Sequence, residues 1–78
     1  MNIAEIITIS PNIQSGEPVF TDTRVPIKNL FDYLKAGDTL DEFLNDFPSV
    51  KKNQVIVLLT YFENLFVIRK DQYEDHLA

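Results

Sequence analysis

The chain has no cysteine, no tryptophan, one methionine, one histidine and two glycines among its 78 residues. Without cysteine, neither a disulfide framework nor a thiolate metal site is available. The single histidine, His76, lies within the last three residues. Acid–base or nucleophilic work needs a base oriented by a further group, so no catalytic residue, no cofactor and no enzyme activity are expected. Basic side chains are scarce too: seven Lys+Arg against twelve Asp+Glu, for a net charge of −5. That balance excludes a protein that coats nucleic acid by electrostatics alone. No apolar run is long enough to span a bilayer and no signal-like segment leads the chain, so the cytoplasm is the expected compartment and no membrane is involved. Seventy-eight residues make one domain near the lower size for a self-sufficient core, a limit that dimerisation relieves.

The charge is uneven. Residues 1–50 carry three basic and eight acidic side chains, whereas residues 51–78 carry four of each. Any contact with an anion must therefore be local, beginning at Lys51.

The chain is organised around Gly16-Glu-Pro-Val-Phe-Thr-Asp-Thr-Arg-Val-Pro-Ile27. Gly16 can take the positive φ that ends a loop, and Pro18-Val19-Phe20 reads as a short extended segment with proline at a strand edge. Thr21-Asp22-Thr23 is a turn, since Asp and Thr side chains bond to nearby backbone. Val25 is pushed to an extended conformation by the next residue, and Pro26 opens a helix where a missing N–H is harmless. Arg24 is expected to anchor this strand-to-helix turn through carbonyls or a carboxylate such as Glu42 or Asp46, with a partner contact as the other reading. Gly16, Pro18, Arg24 and Pro26 are thus structural candidates.

On either side of this stretch the periodicities are clear. Ile6-Ile7-Thr8-Ile9 is β-branched, bounded by Ser10-Pro11-Asn12, and predicts a strand that pairs with 18–20. Such a hairpin folds onto its own helices or pairs with a second subunit; the latter would place Ile7, Ile9, Val19 and Phe20 in a dimer interface. A first helix, from about Pro26 to Ala36, presents Ile27, Leu30, Phe31 and Leu34 on one face, with Gly37 as its stop. A second opens on Thr39-Leu-Asp-Glu42, a capping box, and aligns Leu40, Phe43, Leu44 and Phe47 before Pro48. Its carboxylates Asp41, Glu42 and Asp46 read as a solvated polar face, not a metal site. A third helix starts near Lys51, with Val55, Leu58, Leu59, Phe62, Leu65 and Phe66 as its core stripe. Ile56, Val57 and Tyr61 widen that surface beyond what two short helices can cover, so they join the dimer-interface candidates. From Val67 the pattern loosens into a helix extension or a frayed tail.

These pieces, in this order and spacing, resemble the domain-of-unknown-function-433 family. Its signature is roughly Gly-Lys-Pro-Val-Ile-x-Gly-Thr-Arg-Ile-Pro-Val, followed by an Ala/Glu-Gly pair and an acidic helix ending in Phe-Pro. Ala36-Gly37 and Phe47-Pro48 fall in those places, and the resemblance spans about residues 7 to 65. It implies a small, dimeric, helix-turn-helix-like domain acting as the antitoxin of a toxin–antitoxin pair, often against a nuclease-like toxin of the PIN type. Two residues depart from the signature. Glu17 stands where relatives carry Lys, Arg or Gln, and Asp22 replaces a glycine, so its side chain is expected to bond the backbone to hold the turn.

The fold expected is mostly α: an N-terminal β-hairpin arm over residues 1–25, a three-helix, helix-turn-helix-like domain over 26–66, and a tail or helix extension over 67–78, in a homodimer. In a helix-turn-helix the third helix would read bases through Lys51, Lys52, Asn53 and Gln54, since amides match adenine edges and lysine reaches guanine or phosphate. Relatives begin this helix with Ser/Thr and then Asp/Glu; two lysines there are locally unfavourable unless an anion docks. Toxin binding would fall to the C-terminal segment, with a cation such as Arg69 or Lys70 entering the toxin's carboxylate cluster and Phe66, Ile68, Tyr73 and Leu77 as apolar anchors. The expected function is therefore an antitoxin that binds a nuclease toxin and represses its own operon through operator DNA. The alternative is a small dimeric adaptor that binds protein only.

Overall fold

Asn2 decides how the folded chain begins. In the computed structural model, which describes the backbone of residues 2–77 and the side chains of residues 2–67, the Asn2 side chain accepts a hydrogen bond from the Glu5 amide at 3.2 Å. That cap closes one helical turn, α1 (Ile3–Ile6). The expected strand is correspondingly shorter: β1 is Ile7–Thr8, and Ile6 belongs to the helical turn with its side chain fully buried. A local cap has overridden the β-branched run. β1 pairs antiparallel with β2 (Val19–Phe20) in the register Ile7↔Phe20, Thr8↔Val19, as expected for the hairpin. Between them runs a 3₁₀ turn, Gln14–Gly16, in which all three residues have positive φ.

The signature stretch folds into a tight ribbon. Val19 bridges Pro26, and the Phe20 amide donates to the Val25 carbonyl at 3.0 Å. The Thr23 hydroxyl ties the turn from both sides, donating to the Phe20 carbonyl at 2.7 Å and accepting from the Val25 amide at 3.0 Å. Thr21 adds a hydroxyl pair with Thr8 at 2.9 Å. Asp22 sits in the left-handed region at φ 64, yet among the described residues its carboxylate makes no bond to backbone. The expectation that Asp22 holds the turn is corrected: Thr23 holds it, and Asp22 bears the strained φ. Replacing Asp22 with glycine should therefore raise stability by roughly 1 kcal/mol, measured as a higher Tm in thermal denaturation. A lower Tm would mean that the carboxylate contributes after all.

Helix α2 (Ile27–Lys35) begins one residue later than expected, with Pro26 at the N-cap and not at the first helical position. The Ile27 amide is satisfied by the Pro18 carbonyl at 2.9 Å, which sews the helix start to the ribbon. At the other end Gly37, at φ 89, lets its own amide reach Leu34 O and the Asp38 amide reach Tyr33 O. Together these bonds cap the last free carbonyls of the helix. Helix α3 (Leu40–Asp46) has the anticipated capping box, with reciprocal Thr39 and Glu42 bonds of 3.1 Å each.

Phe43 sits at the centre of the interior. Its ring lies 5.4 Å from Tyr33, 5.1 Å from Phe47 and 6.1 Å from Phe20, tilted or edge-on in each case. Around it close Ile6, Ile27, Leu30, Val50, Val55 and Leu58. Tyr33 leaves this cluster by its hydroxyl, which donates to Asp46 at 2.6 Å. The Asp46 hydrogen bond raises the Tyr33 pKa above its usual 10.0, with burial as a further cause. A phenol whose folded pKa is raised contributes stability that is complete below the unfolded pKa and lost as pH rises through the folded one. Above about pH 10 the native chain should therefore lose stability more steeply than Tyr33→Phe, in paired melts from pH 8 to 11.5. Parallel curves would remove the Tyr33–Asp46 bond from the account.

Helix α4 (Lys52–Leu77) has 26 residues, so at 1.5 Å per residue it is about 39 Å long. Its backbone continues helical through the segment that the sequence left between helix and tail. The body covers only its beginning: Gln54, Val55 and Leu58 are buried, whereas every residue from Thr60 to Val67 is exposed. Phe62, Leu65 and Phe66, expected in the core, therefore lie outside it. The periodicity named the correct face of the helix, but the body reaches no further along it than Phe62, whose ring Phe31 of α2 touches on one edge.

Candidate functional site

Three regions bear on function. The first is the start of α4. Lys51, Lys52 and Asn53 are open to solvent, but Gln54 is buried. Its Oε1 accepts from the Lys51 amide at 2.9 Å, and its Nε2 donates to the Thr21 carbonyl at 3.0 Å. The first bond is the backward half of a capping box; the second joins α4 to the signature turn. Gln54 is thus withdrawn from the expected base-reading set, because both ends of its amide are already occupied inside the protein. Lys51 shares a small hollow of about 220 Å³ with Glu5 and Asp22. These carboxylates offset the positive charge that a phosphate would meet there.

The second region is the outer part of α4. Tyr61, Phe62, Leu65, Phe66 and Val67 all show their side chains to solvent, Phe66 at 71% exposure. Tyr61 and Phe62 touch edge-on at 5.8 Å, and Phe62 meets Phe31 of α2 edge-on at 5.7 Å. On another side of the helix a groove of about 410 Å³ separates α1 from α4, lined by Ile3, Ile56, Val57, Tyr61 and neighbouring polar residues. Of the residues expected at a dimer interface, Ile56 and Tyr61 are exposed, Val57 and Ile7 are half-buried, and Ile9 stands clear at 67% exposure. Val19 and Phe20 are corrected: both are fully buried in the chain's own interior and have no side-chain surface to offer a second subunit. Among the residues expected to meet a toxin, Phe66 is the one whose side chain is described. The side chains of Ile68, Arg69, Lys70, Tyr73 and Leu77 lie outside the described residues.

The third region is the flank of the signature ribbon. Arg24 was expected to bond Glu42 or Asp46. Instead Glu42 is held by the Thr39 cap and Asp46 by Tyr33. The Arg24 side chain is exposed and, among the described residues, makes neither an ion pair nor a hydrogen bond. Its backbone is pinned by Gln14, whose Nε2 donates to the Arg24 carbonyl at 3.0 Å. The surface ion pairs present among the described residues are local to α2, from Lys28 and Lys35 to Asp32. No cluster of three or more metal-ligating side chains occurs among the described residues. None of their helices is long and apolar enough to cross a membrane.

Sequence reasoning missed two side chains. Gln54 could have been found, since it stands at the third helical position after Lys51, where a glutamine reaches back to the cap. Tyr33 could not: it meets Asp46 across thirteen residues of chain, and nothing local marks the pair.

A two-stranded hairpin, a proline-bounded ribbon fixed by threonine hydroxyls, and three following helices define a small, mostly helical domain in which the ribbon sets the first of those helices. The chain belongs to the family described as "Protein of unknown function (DUF433)", whose pattern matches residues 7–62. It is also similar to the uncharacterized protein y4eO of Sinorhizobium fredii (strain NBRC 101917 / NGR234), at 34% identity over 59 residues. That match covers 76% of this chain but 27% of the relative, so the chain spans about a quarter of the relative's length. No solved structure matches the chain.

Proposed function

We propose that this protein is the antitoxin of a type II toxin–antitoxin pair, acting in the cytoplasm as a homodimer that binds and neutralises a PIN-like nuclease toxin. The observation that carries the reading is the run from Thr60 to Val67, entirely exposed and holding five apolar or aromatic side chains. An apolar helix face extending past its own domain is what a protein-binding segment requires, because covering it releases ordered water and anchors the partner on aromatic side chains. The net charge of zero over residues 51–78 suits a surface that must approach another protein closely.

Autorepression through operator DNA is the second part of the proposal, with Lys51, Lys52 and Asn53 at the start of α4 as the contacts. A different reading, a dimeric adaptor that never touches DNA, is favoured by Glu5 and Asp22 beside Lys51 and by the overall charge of −5.

The test of neutralisation is growth rescue. The product of the adjacent open reading frame, expressed alone, should arrest growth, and co-expression of this chain should restore it. A chain truncated after Leu65 should fail to rescue; full rescue by it would remove residues 66–78 from toxin binding. A gel shift on the promoter fragment separates the two readings. Binding that weakens as salt rises, and vanishes with Lys51→Glu plus Lys52→Glu, supports the repressor. No shift at low salt leaves the adaptor.

A further inference from the structure

A hollow of about 770 Å³ opens where the 3₁₀ turn, the signature ribbon, α2 and the end of α3 come together, nearly twice the size of the groove beside α4. Its walls are of two kinds. Ile13, Val25, Pro26 and Phe47 supply half-buried apolar surface, while Arg24 and Asn29 bring hydrogen-bond donors to the same space.

Arg24 is the informative residue. Its backbone carbonyl is fixed by Gln14, and the next residue is fixed by the Thr23 hydroxyl, so the stem of the side chain starts from a rigid ribbon. Its guanidinium nevertheless has no carboxylate or carbonyl partner among the described residues, in a chain with twelve acidic residues. Asp22, two positions earlier, lines the same hollow and forms no ion pair with it. A planar fork of donors on a preset base matches a carboxylate bidentately. The nearby Asp22 and the overall charge of −5 oppose a polyanion, which removes nucleic acid and polyphosphate from consideration. The apolar walls ask for a hydrocarbon group next to the charge.

We infer that this hollow is a binding site for a carboxylate carried beside an apolar side chain, with Arg24 receiving the carboxylate and Ile13, Val25 and Phe47 covering the apolar group. The chemistry is that of an acidic or C-terminal residue in a partner's peptide segment, or of a small free acid. The inference does not rest on the antitoxin reading: it stands or fails on the isolated full-length chain, and growth rescue has no bearing on it.

The test is an NMR titration of the ¹⁵N-labelled chain with N-acetyl-leucine, its methyl ester, and an acetylated tetrapeptide of three glycines ending in leucine. The free acids should produce saturable shifts at Arg24, Val25 and Asn29, and the ester should bind at least about tenfold more weakly. Arg24→Gln should lose a similar factor with an unchanged melting temperature, since the exposed side chain has no structural bond to break. Tighter binding of the tetrapeptide assigns the site to a protein segment; equal binding of the two acids assigns it to a small acid. Absence of saturable shifts, an ester that binds as well as the acid, or an Arg24→Gln variant that binds as well as the native chain overturns the site.

Discussion

Replacing Gln54 with leucine should lower the melting temperature of this protein by about 10–20 °C. The leucine fills a similar space but leaves the Lys51 amide and the Thr21 carbonyl without the partners that Gln54 now provides at 2.9 and 3.0 Å. A part-buried polar group stripped of its partner costs about 1–2 kcal/mol, and each kcal/mol moves the midpoint by roughly 4–8 °C in a domain of this size. The expected loss of about 2–4 kcal/mol is a large share of a total stability of order 5–10 kcal/mol. The position is decisive because the two bonds join the start of α4 to the ribbon 33 residues earlier. A Gln54 that read bases would behave in the opposite way, losing operator affinity while keeping its melting temperature. Thermal melts with a parallel gel shift distinguish the two. A shift in Tm of less than about 2 °C would show that the link between helix and ribbon matters little.

The second large effect concerns association. In the proposed homodimer, Ile56→Glu combined with Tyr61→Glu should weaken self-association at least about a hundredfold, because each apolar side chain buried at an interface contributes roughly 1.5–3 kcal/mol. The monomer itself should fold as before. Both side chains are exposed on α4, and glutamate is a good helix former. Sedimentation velocity across a concentration series, together with far-ultraviolet circular dichroism, gives both readouts. A native chain that remains monomeric at millimolar concentration would falsify the homodimer, while leaving open a heterologous partner for the same face.

These two predictions rest on residues whose roles the sequence presented very differently. The hairpin pairing, the Gly37 stop and the Thr39–Glu42 capping box were legible because each is local: the residues that interact lie within a turn of one another, or face each other across a short loop. Local reasoning went astray at the N-terminus, where the β-branched run at 6–9 loses its first residue to a helical turn. The Asn2 cap that causes this is a local signal too, set against a stronger compositional one. At Asp22 the turn was located correctly but the residue that holds it was not, since two threonines flanked the candidate and the hydroxyl of one of them, Thr23, forms both bonds.

By itself the sequence determined where the three later helices and the signature turn lie, which face of each of those helices is apolar, and that one long helix carries more apolar surface than two short ones can match. Hydrogen bonds along the backbone and the 3.6-residue period contain that information within any dozen residues. The tertiary structure alone decided how far along α4 the covering helices reach, and so which aromatic side chains remain outside. It also decided that Gln54 faces inward to Thr21, that Tyr33 takes up Asp46, and that Arg24 has no partner among the described residues beside an open hollow. Those outcomes depend on distances between segments far apart in the chain, which the packing of Phe43 and its neighbours sets and no local pattern encodes.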